Sequence, residues 1–183
     1  MRFPPRLVTP RTVLRAWNAD DGPILKTAID HNKDHLKPWV PWATGEVTPL
    51  AVASDKAASM AAEFAADRNW LYAVMLPDQE RVVGGTGLHD RIGPGGLEIG
   101  YWIDRDHINQ GLASEVAGAL VELAFGDPAL QFIEMHIDAR NVASARVPER
   151  LGFSMVELRQ QPATPGSSEM VSMMIWRLTR EVR

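Results

Sequence analysis

Leu97-Glu98-Ile99-Gly100-Tyr101-Trp102-Ile103-Asp104, then Gly111 to Phe125 (GLASEVAGALVELAF), then Gln131 to Arg140 (QFIEMHIDAR), decide the fold of this chain. In the first segment Leu97, Ile99, Tyr101 and Ile103 alternate with Glu98, Gly100, Trp102 and Asp104, the period-two pattern of a strand with two unlike faces. The second is apolar almost all round, apart from a stripe of Ser114, Glu115, Gly118 and Glu122, so it reads as a largely buried helix. The third alternates again, Ile133, Met135, Ile137 and Ala139 against Glu134, His136, Asp138 and Arg140. Strand, buried helix and strand at these lengths predict a right-handed βαβ crossover with a parallel pair at its heart.

Outward from this unit the elements are simpler. Upstream, Arg81 to Leu88 pairs with Leu97 to Asp104 through the turn Gly93-Pro94-Gly95-Gly96, an antiparallel hairpin, and Trp70 to Met75 is a further strand. Thr12 to Trp17 reads as the first strand. Asn18 caps a following helix that runs to about His31, with Asp20 and Asp21 in the first turn where negative charge suits the dipole. Thr48-Pro49 reads as N-cap and first helical position of a second helix reaching Arg68. Downstream, Asn141 to Leu151 is a helix closed by Gly152. Phe153 to Arg159 and Glu169 to Leu178 are two last antiparallel strands joined through Pro162 to Ser168. The expected fold is α+β: a mixed, mostly antiparallel sheet with helices on both faces and a central βαβ unit. No repeat or linker divides the 183 residues, so residues 1–183 are expected to form a single domain.

Cysteine is absent, which removes disulfides, thiolate metal sites and a cysteine nucleophile from consideration. A net charge of −4 without blocks of like charge argues against nucleic-acid binding. The opening Met1-Arg2-Phe3-Pro4-Pro5 lacks a signal-peptide h-region and no apolar run is long enough to span a bilayer, so a cytoplasmic protein without membrane contact is expected. His31 and His35 have the i, i+4 spacing of a metal pair, but no third ligand stands nearby, and no metal is expected.

Ile108-Asn109-Gln110-Gly111-Leu112-Ala113-Ser114 lies between the strand and the buried helix. Its small residues Gly111 and Ala113 let a ligand approach the backbone, and the first-turn amides, lacking intrahelical acceptors, suit an anion such as pyrophosphate. The same stretch resembles the R/Q-x-x-G-x-G/A loop of the GNAT superfamily of N-acetyltransferases. Gly111 and Ala113 match its small positions, while Ile108 stands where Arg or Gln is usual and Asn109 where Gly is frequent. Asn141-Val142-Ala143-Ser144-Ala145-Arg146-Val147-Pro148-Glu149-Arg150-Leu151-Gly152-Phe153 is similar to the N-x-x-S-x-x-V-x-E-x-L-G-F block of the RimJ/RimL branch. Leu7 to Arg11, Leu14 to Trp17, His35 to Trp39 and Ile99 to Trp102 echo that branch in the same order.

The resemblance implies a coenzyme A-dependent N-acetyltransferase that moves an acetyl group from acetyl-coenzyme A to a protein N-terminus or a small-molecule amine by direct transfer. Another acyl donor such as succinyl-coenzyme A, and a non-catalytic acyl-coenzyme A-binding module, remain as alternatives. Homodimers, frequent in the branch, are an expectation of the same kind. The implied cofactor contacts are Tyr101, Trp102 and Ile103 with their backbone oxyanion donor, Ile108 to Ser114, Asn141 and Ser144. Glu98 is the leading base and His89 the alternative, the base being a carboxylate of raised pKa or one acting through water. Many relatives have a tyrosine acid four residues after Ser144; here that position is Pro148, so Ser144 is the expected acid. Trp39 and Trp42 are expected to wall the acceptor pocket. Plainer roles compete: Glu98 as an exposed strand residue, Ser144 as a helix cap, Asn141 as a turn residue, His136 as a solvated side chain, and the tryptophans as packing.

Overall fold

Alternation along the strands builds one eight-stranded sheet whose two faces bury different helices. The computed structural model describes residues 2–40, 47–77, 81–163 and 168–180. Its strands are β1 (Arg6–Val8), β2 (Val13–Ala16), β3 (Asn69–Met75), β4 (Val82–His89), β5 (Gly96–Ile103), β6 (Phe132–Asp138), β7 (Ser154–Pro162) and β8 (Met170–Thr179). The helices are α1 (Gly22–Leu36), α2 (Leu50–Ala65), α3 (Leu112–Phe125) and α4 (Val142–Arg150). Strand order is β1-β2-β3-β4-β5-β6-β8-β7, antiparallel everywhere except between β5 and β6.

In β3, Trp70, Tyr72 and Val74 join one core with Leu97, Ile99, Val116, Leu120, Ile133 and Met135, while Ala73, between them in sequence, joins Trp17, Leu25, Ile29 and Ala57. The first core is roofed by α3 and α4, the second by α1 and α2. Each fully buried Leu, Ile or Val side chain contributes about 1.5–3 kcal/mol through loss of apolar surface to water.

The βαβ unit stands where the alternation of Leu97 to Asp104 and Gln131 to Arg140 put it. Its parallel pairing is short: Gly96, Leu97 and Glu98 pair with Phe132, Ile133 and Glu134, and no register continues beyond. Past Glu98 the two strands part, which exposes backbone along both edges.

Several boundaries differ from expectation for local reasons. β1 was not anticipated, since three residues carry too little periodicity to read. Asn18 opens a 3₁₀ turn, Ala19–Asp21, where its N–H donates to Asp21 Oδ2 at 2.8 Å, and α1 then continues past His31 to Leu36. Thr48 does not cap α2: its N–H donates to Asp30 Oδ1 at 2.7 Å, Pro49 holds the cap position, and α2 stops at Ala65 before Asp67, at φ 55°.

Candidate active site

The α3 end of the site is built mostly from backbone. Gly111 holds φ 79°, a left-handed conformation that a β-carbon disfavours, and it turns the chain into the first turn of α3. Arg11 braces this turn from β1–β2, donating to the Gln110 carbonyl at 2.7 Å and to Glu115 Oε2 at 2.6 Å, with Thr9 donating to Glu115 Oε1 at 2.6 Å. Glu115 thus leaves the polar stripe of α3 to become a structural anchor.

A groove of about 320 Å³ runs along this turn, between the parted ends of β5 and β6 and the first turns of α3 and α4. Of the expected cofactor residues, Tyr101, Trp102 and Ile103 on β5, Ile108, Asn109, Gly111, Leu112, Ala113 and Ser114 at α3, and Asn141 and Ser144 at α4 all line it. Gln110 does not: its side-chain amide donates to the Asp106 carbonyl at 3.3 Å, and its backbone carbonyl accepts from Arg11. His35, His107, Arg146 and Arg150 line the groove as well, residues the motif reading passed over. Arg146 and Arg150 sit one helical turn apart on α4, a spacing that was legible in the sequence.

The groove has the donor set that a pyrophosphate-bearing coenzyme requires. The first-turn amides of α3 have no intrahelical acceptors, and Ser114 Oγ is buried without a hydrogen-bond partner among the described residues. An anion at this turn would satisfy both, with arginine charge nearby, and Ile108, 40% exposed, adds only apolar surface.

At the α4 end, Asn141 rather than Ser144 caps the helix, its Oδ1 accepting the Ser144 N–H at 3.1 Å. Ser144 is therefore free of the capping role. Pro148 lies inside α4 and has no N–H to offer the Ser144 carbonyl one turn earlier. Tyr101 fills that gap from across the site: its phenol donates to the Ser144 carbonyl at 3.0 Å and lies 2.9 Å from Ser144 Oγ. Burial pushes the Tyr101 phenol up to about 12, so it remains protonated at neutral pH. The position expected to hold a tyrosine is proline, yet a phenol reaches the same serine from β5.

A second cavity, about 460 Å³, opens on the α1–α2 side and shares Trp39, Tyr101, Trp102, Asn141 and Ser144 with the first. Its floor carries His89, Arg91, Glu98 and His136. Trp39 is 37% exposed and borders both cavities; Trp42 lies outside the described residues.

The floor corrects several expectations. Glu98 is buried, 6% exposed, rather than a solvated strand residue. Arg91 grips it with Nε to Oε2 at 2.7 Å and a second guanidinium nitrogen to Oε1 at 2.6 Å. Burial alone would push its carboxyl up, but the hydrogen bonds and charge of Arg91, with smaller help from His136 and His89, hold it below the usual carboxylate range. A raised pKa at Glu98 is therefore overturned. The reason is Arg91, which the Gly93–Gly96 turn folds back over the strand.

His89 pairs across β4–β5 with Glu98. Its Nε2 comes so near Gly100 that a β-carbon there would lie 3.3 Å away. Burial and then the charge of Arg91 lower its pKa to about 4, against the pull of Glu98, so the ring is neutral at pH 7. His136 is partly buried, its side chain 18% exposed.

His31 binds Asp106 Oδ2 at 2.8 Å and stands near Asp104, a grouping that brings three ligand-type side chains together. Arg81 already donates to Asp104 Oδ2 at 2.9 Å, a cation occupying the same carboxylate. Among the described residues no helix is long and apolar enough to cross a membrane.

A groove formed where a parallel pair splays, with a phosphate-type turn at the head of the crossover helix, now has its counterpart in known proteins. Residues 11–154 match the family model described as Acetyltransferase (GNAT) domain. The chain belongs to the GNAT acetyltransferase family. Two Bacillus subtilis (strain 168) proteins carrying N-acetyltransferase names, YjcK and YnaD, are 31% identical over 90 residues and 30% identical over 82. These alignments cover 48% and 45% of this chain, and the chain spans about half the length of the curated relatives it matches, 49% and 48%.

GNAT structures superpose over nearly the whole chain. RimL, a ribosomal L7/L12 alpha-N-protein acetyltransferase in complex with coenzyme A, gives a TM-score of 0.81 at 19% identity, covering 94% of this chain and 96% of its own. The microcin C7 self immunity acetyltransferase MccE, in complex with acetyl-coenzyme A and AMP, gives 0.83 at 12% identity, with 93% of each chain covered. Mycobacterium smegmatis RimJ with a coenzyme A disulfide gives 0.78 at 19%, covering 92% of this chain and 81% of its own. At such identities these neighbours speak for the fold alone.

Proposed function

We propose that this GNAT acetyltransferase transfers the acetyl group of acetyl-coenzyme A directly to a primary amine, a protein N-terminus or a small-molecule amine, in a ternary complex. The observation that carries the reading is the meeting of two cavities at Tyr101 and Ser144, beside the point where β5 and β6 part. A donor entering along α3 and an acceptor entering from the α1–α2 side would meet there, which is the proximity that direct transfer needs.

The coenzyme supplies a thioester carbonyl and a thiol leaving group. The first turn of α3 with Ser114 holds the pyrophosphate, and Arg146 and Arg150 add positive charge along the same groove. A backbone N–H of Tyr101 or Ile103, on the edge of β5 released from β6, stabilises the oxyanion. The Ser144 hydroxyl relays to the departing sulfur the proton that the attacking nitrogen loses, with Tyr101 holding the serine in place. Glu98 supplies a fixed negative charge for the acceptor's ammonium. Arg91 engages both its oxygens, so Glu98 acts on that ammonium alongside the arginine or through water rather than as a free base.

Isothermal titration with acetyl-, succinyl- and free coenzyme A, followed by an amine screen, tests the reading. We expect micromolar acetyl-coenzyme A binding, with Glu98→Gln lowering turnover about 30-fold while leaving that affinity intact, on the scale of one lost charge-assisted contact. Tighter succinyl-coenzyme A binding would reassign the donor. Coenzyme binding without turnover on any amine would leave a binding module instead.

A further inference from the structure

The acceptor amine arrives as an ammonium and must lose a proton before it attacks, yet Glu98 has both oxygens engaged by Arg91. The cavity floor offers another acceptor. His136 Nε2 bonds Glu134 Oε2 at 2.7 Å. Glu134 is itself 5% exposed and is held from β8 by Arg177, whose Nε donates to Oε1 at 2.8 Å. A carboxylate accepts and does not donate, so in the neutral ring Nε2 carries the hydrogen and Nδ1 presents its lone pair. Nδ1 stands 3.7 Å from Glu98 Oε2, and both residues line the second cavity. The distance is too long for a direct bond, but the two acceptors stand side by side, and one ammonium can donate to both. Glu98 Oε2 retains a second lone pair beside its bond from Arg91.

We propose that His136, oriented by Glu134, is the general base that takes the acceptor amine's proton. The inference rests on the amine-acetylation reading above. Its step balances simply: the N–H bond of the ammonium breaks, its proton moves to His136 Nδ1, and the freed electron pair attacks the thioester carbonyl. The C–N bond forms and the C–S bond breaks; the second proton leaving the nitrogen passes through the Ser144 hydroxyl to the sulfur, so the amide is neutral, the thiol is formed and the serine ends as it began. The imidazolium left on β6 lies between two buried carboxylates, Glu134 and Glu98, and returns its proton to water through the cavity. This is the arrangement of a base whose far nitrogen is fixed by a third group. The titratable and charged groups around it are Glu134 on its own strand, Glu98 on β5, Arg91 and the neutral His89 beside the β4–β5 turn, Arg177 on β8 and Glu157 on β7.

Two readouts test it on the full chain. The first needs no acceptor: long-range proton–nitrogen spectra of protein labelled with ¹⁵N-histidine, with His136 assigned by its loss in His136→Asn. A neutral ring protonated at Nε2 at pH 7.5 supports the proposal, and Glu134→Gln should redistribute the tautomers. A ring protonated at Nδ1, or doubly protonated at that pH, overturns it.

The second is acetyl transfer to peptides beginning with serine or alanine and to spermidine. His136→Asn should lower kcat/KM about 100-fold or more, the usual scale of a general base. Its acetyl-coenzyme A affinity should stay unchanged, the acidic limb of the pH–rate profile should disappear, and added imidazole should partly restore a His136→Ala variant. Wild-type rate and pH profile in a folded His136→Asn protein would overturn the proposal. If the unmodified protein transfers to none of these amines, that counts against the acetylation reading, and the tautomer then decides the role of His136 separately.

Discussion

The two sides of the active site are made of different materials. Along α3 and α4 the groove depends on backbone amides, a left-handed glycine and small side chains, and Arg11 and Asn141 brace it from outside. Across the splayed strands, the floor of the second cavity carries the charged and polar side chains Arg91, Glu98 and His136, backed by Glu134 and Arg177, drawn from four separate stretches of chain. Backbone sites keep their donors whatever happens to most side chains nearby. A buried ionic floor loses a charge's partner with any single change, and burial makes that costly. The coenzyme side should therefore tolerate substitution except at conformational positions, while the acceptor side should be sensitive to charge and pH.

The largest expected effect breaks the acceptor floor by protonation. His89 has a folded-state pKa near 4 against an ordinary 6.5, so on acidification the unfolded chain takes up its proton first. Stability is then full above about pH 6.5 and is lost progressively towards pH 4, by on the order of 3 kcal/mol. The depressed pKa of Glu98 works in the same direction at lower pH. Urea unfolding across this range should show the loss, and His89→Gln should flatten it; an unchanged slope in the variant would remove His89 as its source.

Next comes a conformational blow to the coenzyme side. Gly111→Val forces a β-branched residue to φ 79°, with a strain of about 1–3 kcal/mol. Titration should show acetyl-coenzyme A affinity falling about 30-fold, while the acceptor-side ionic line is untouched. An affinity within twofold of the parent would mean that the left-handed turn is not what presents the amides.

A smaller effect is expected where the two sides meet. Tyr101→Phe removes the donor that serves the Ser144 carbonyl, the one Pro148 cannot serve, at a cost of about 1–2 kcal/mol. Steady-state kinetics should show kcat down about 10-fold with coenzyme affinity nearly constant. The smallest is a gain: Ile108→Arg, at an exposed position on the groove, should tighten coenzyme binding about threefold through a new phosphate contact, more strongly at low salt. No tightening at low salt would show that Arg146 and Arg150 already neutralise the phosphates.

How much of this was legible depends on the range of the interaction. The βαβ unit follows from alternation in Leu97 to Asp104 and Gln131 to Arg140, and the α3 turn from Gly111 followed by an apolar helix. Both are local signals, repeated at a period the backbone enforces. Arg91 over Glu98 was within reach, since a hairpin turning at Gly93–Gly96 brings residues on its two arms together. The carbonyl that Pro148 strands was also readable one turn back, at Ser144. That Tyr101 answers it was not, because nothing in the spacing of β5 and α4 specifies which side chain reaches across.

By itself, the sequence determined the order of elements from β2 onward, the alternating faces of β5 and β6, the small-residue turn at α3 and the proline at 148. These depend on residue type and short spacing alone. Tertiary structure decided which charges share the acceptor floor, that Glu98 has a lowered rather than raised pKa, and that His136 sits between two carboxylates. Those outcomes depend on burial and on which charged groups meet, at 2.6–3.7 Å, across a hairpin or between neighbouring strands. No local pattern encodes them, because electrostatic free energy is set by the surroundings a side chain meets after folding.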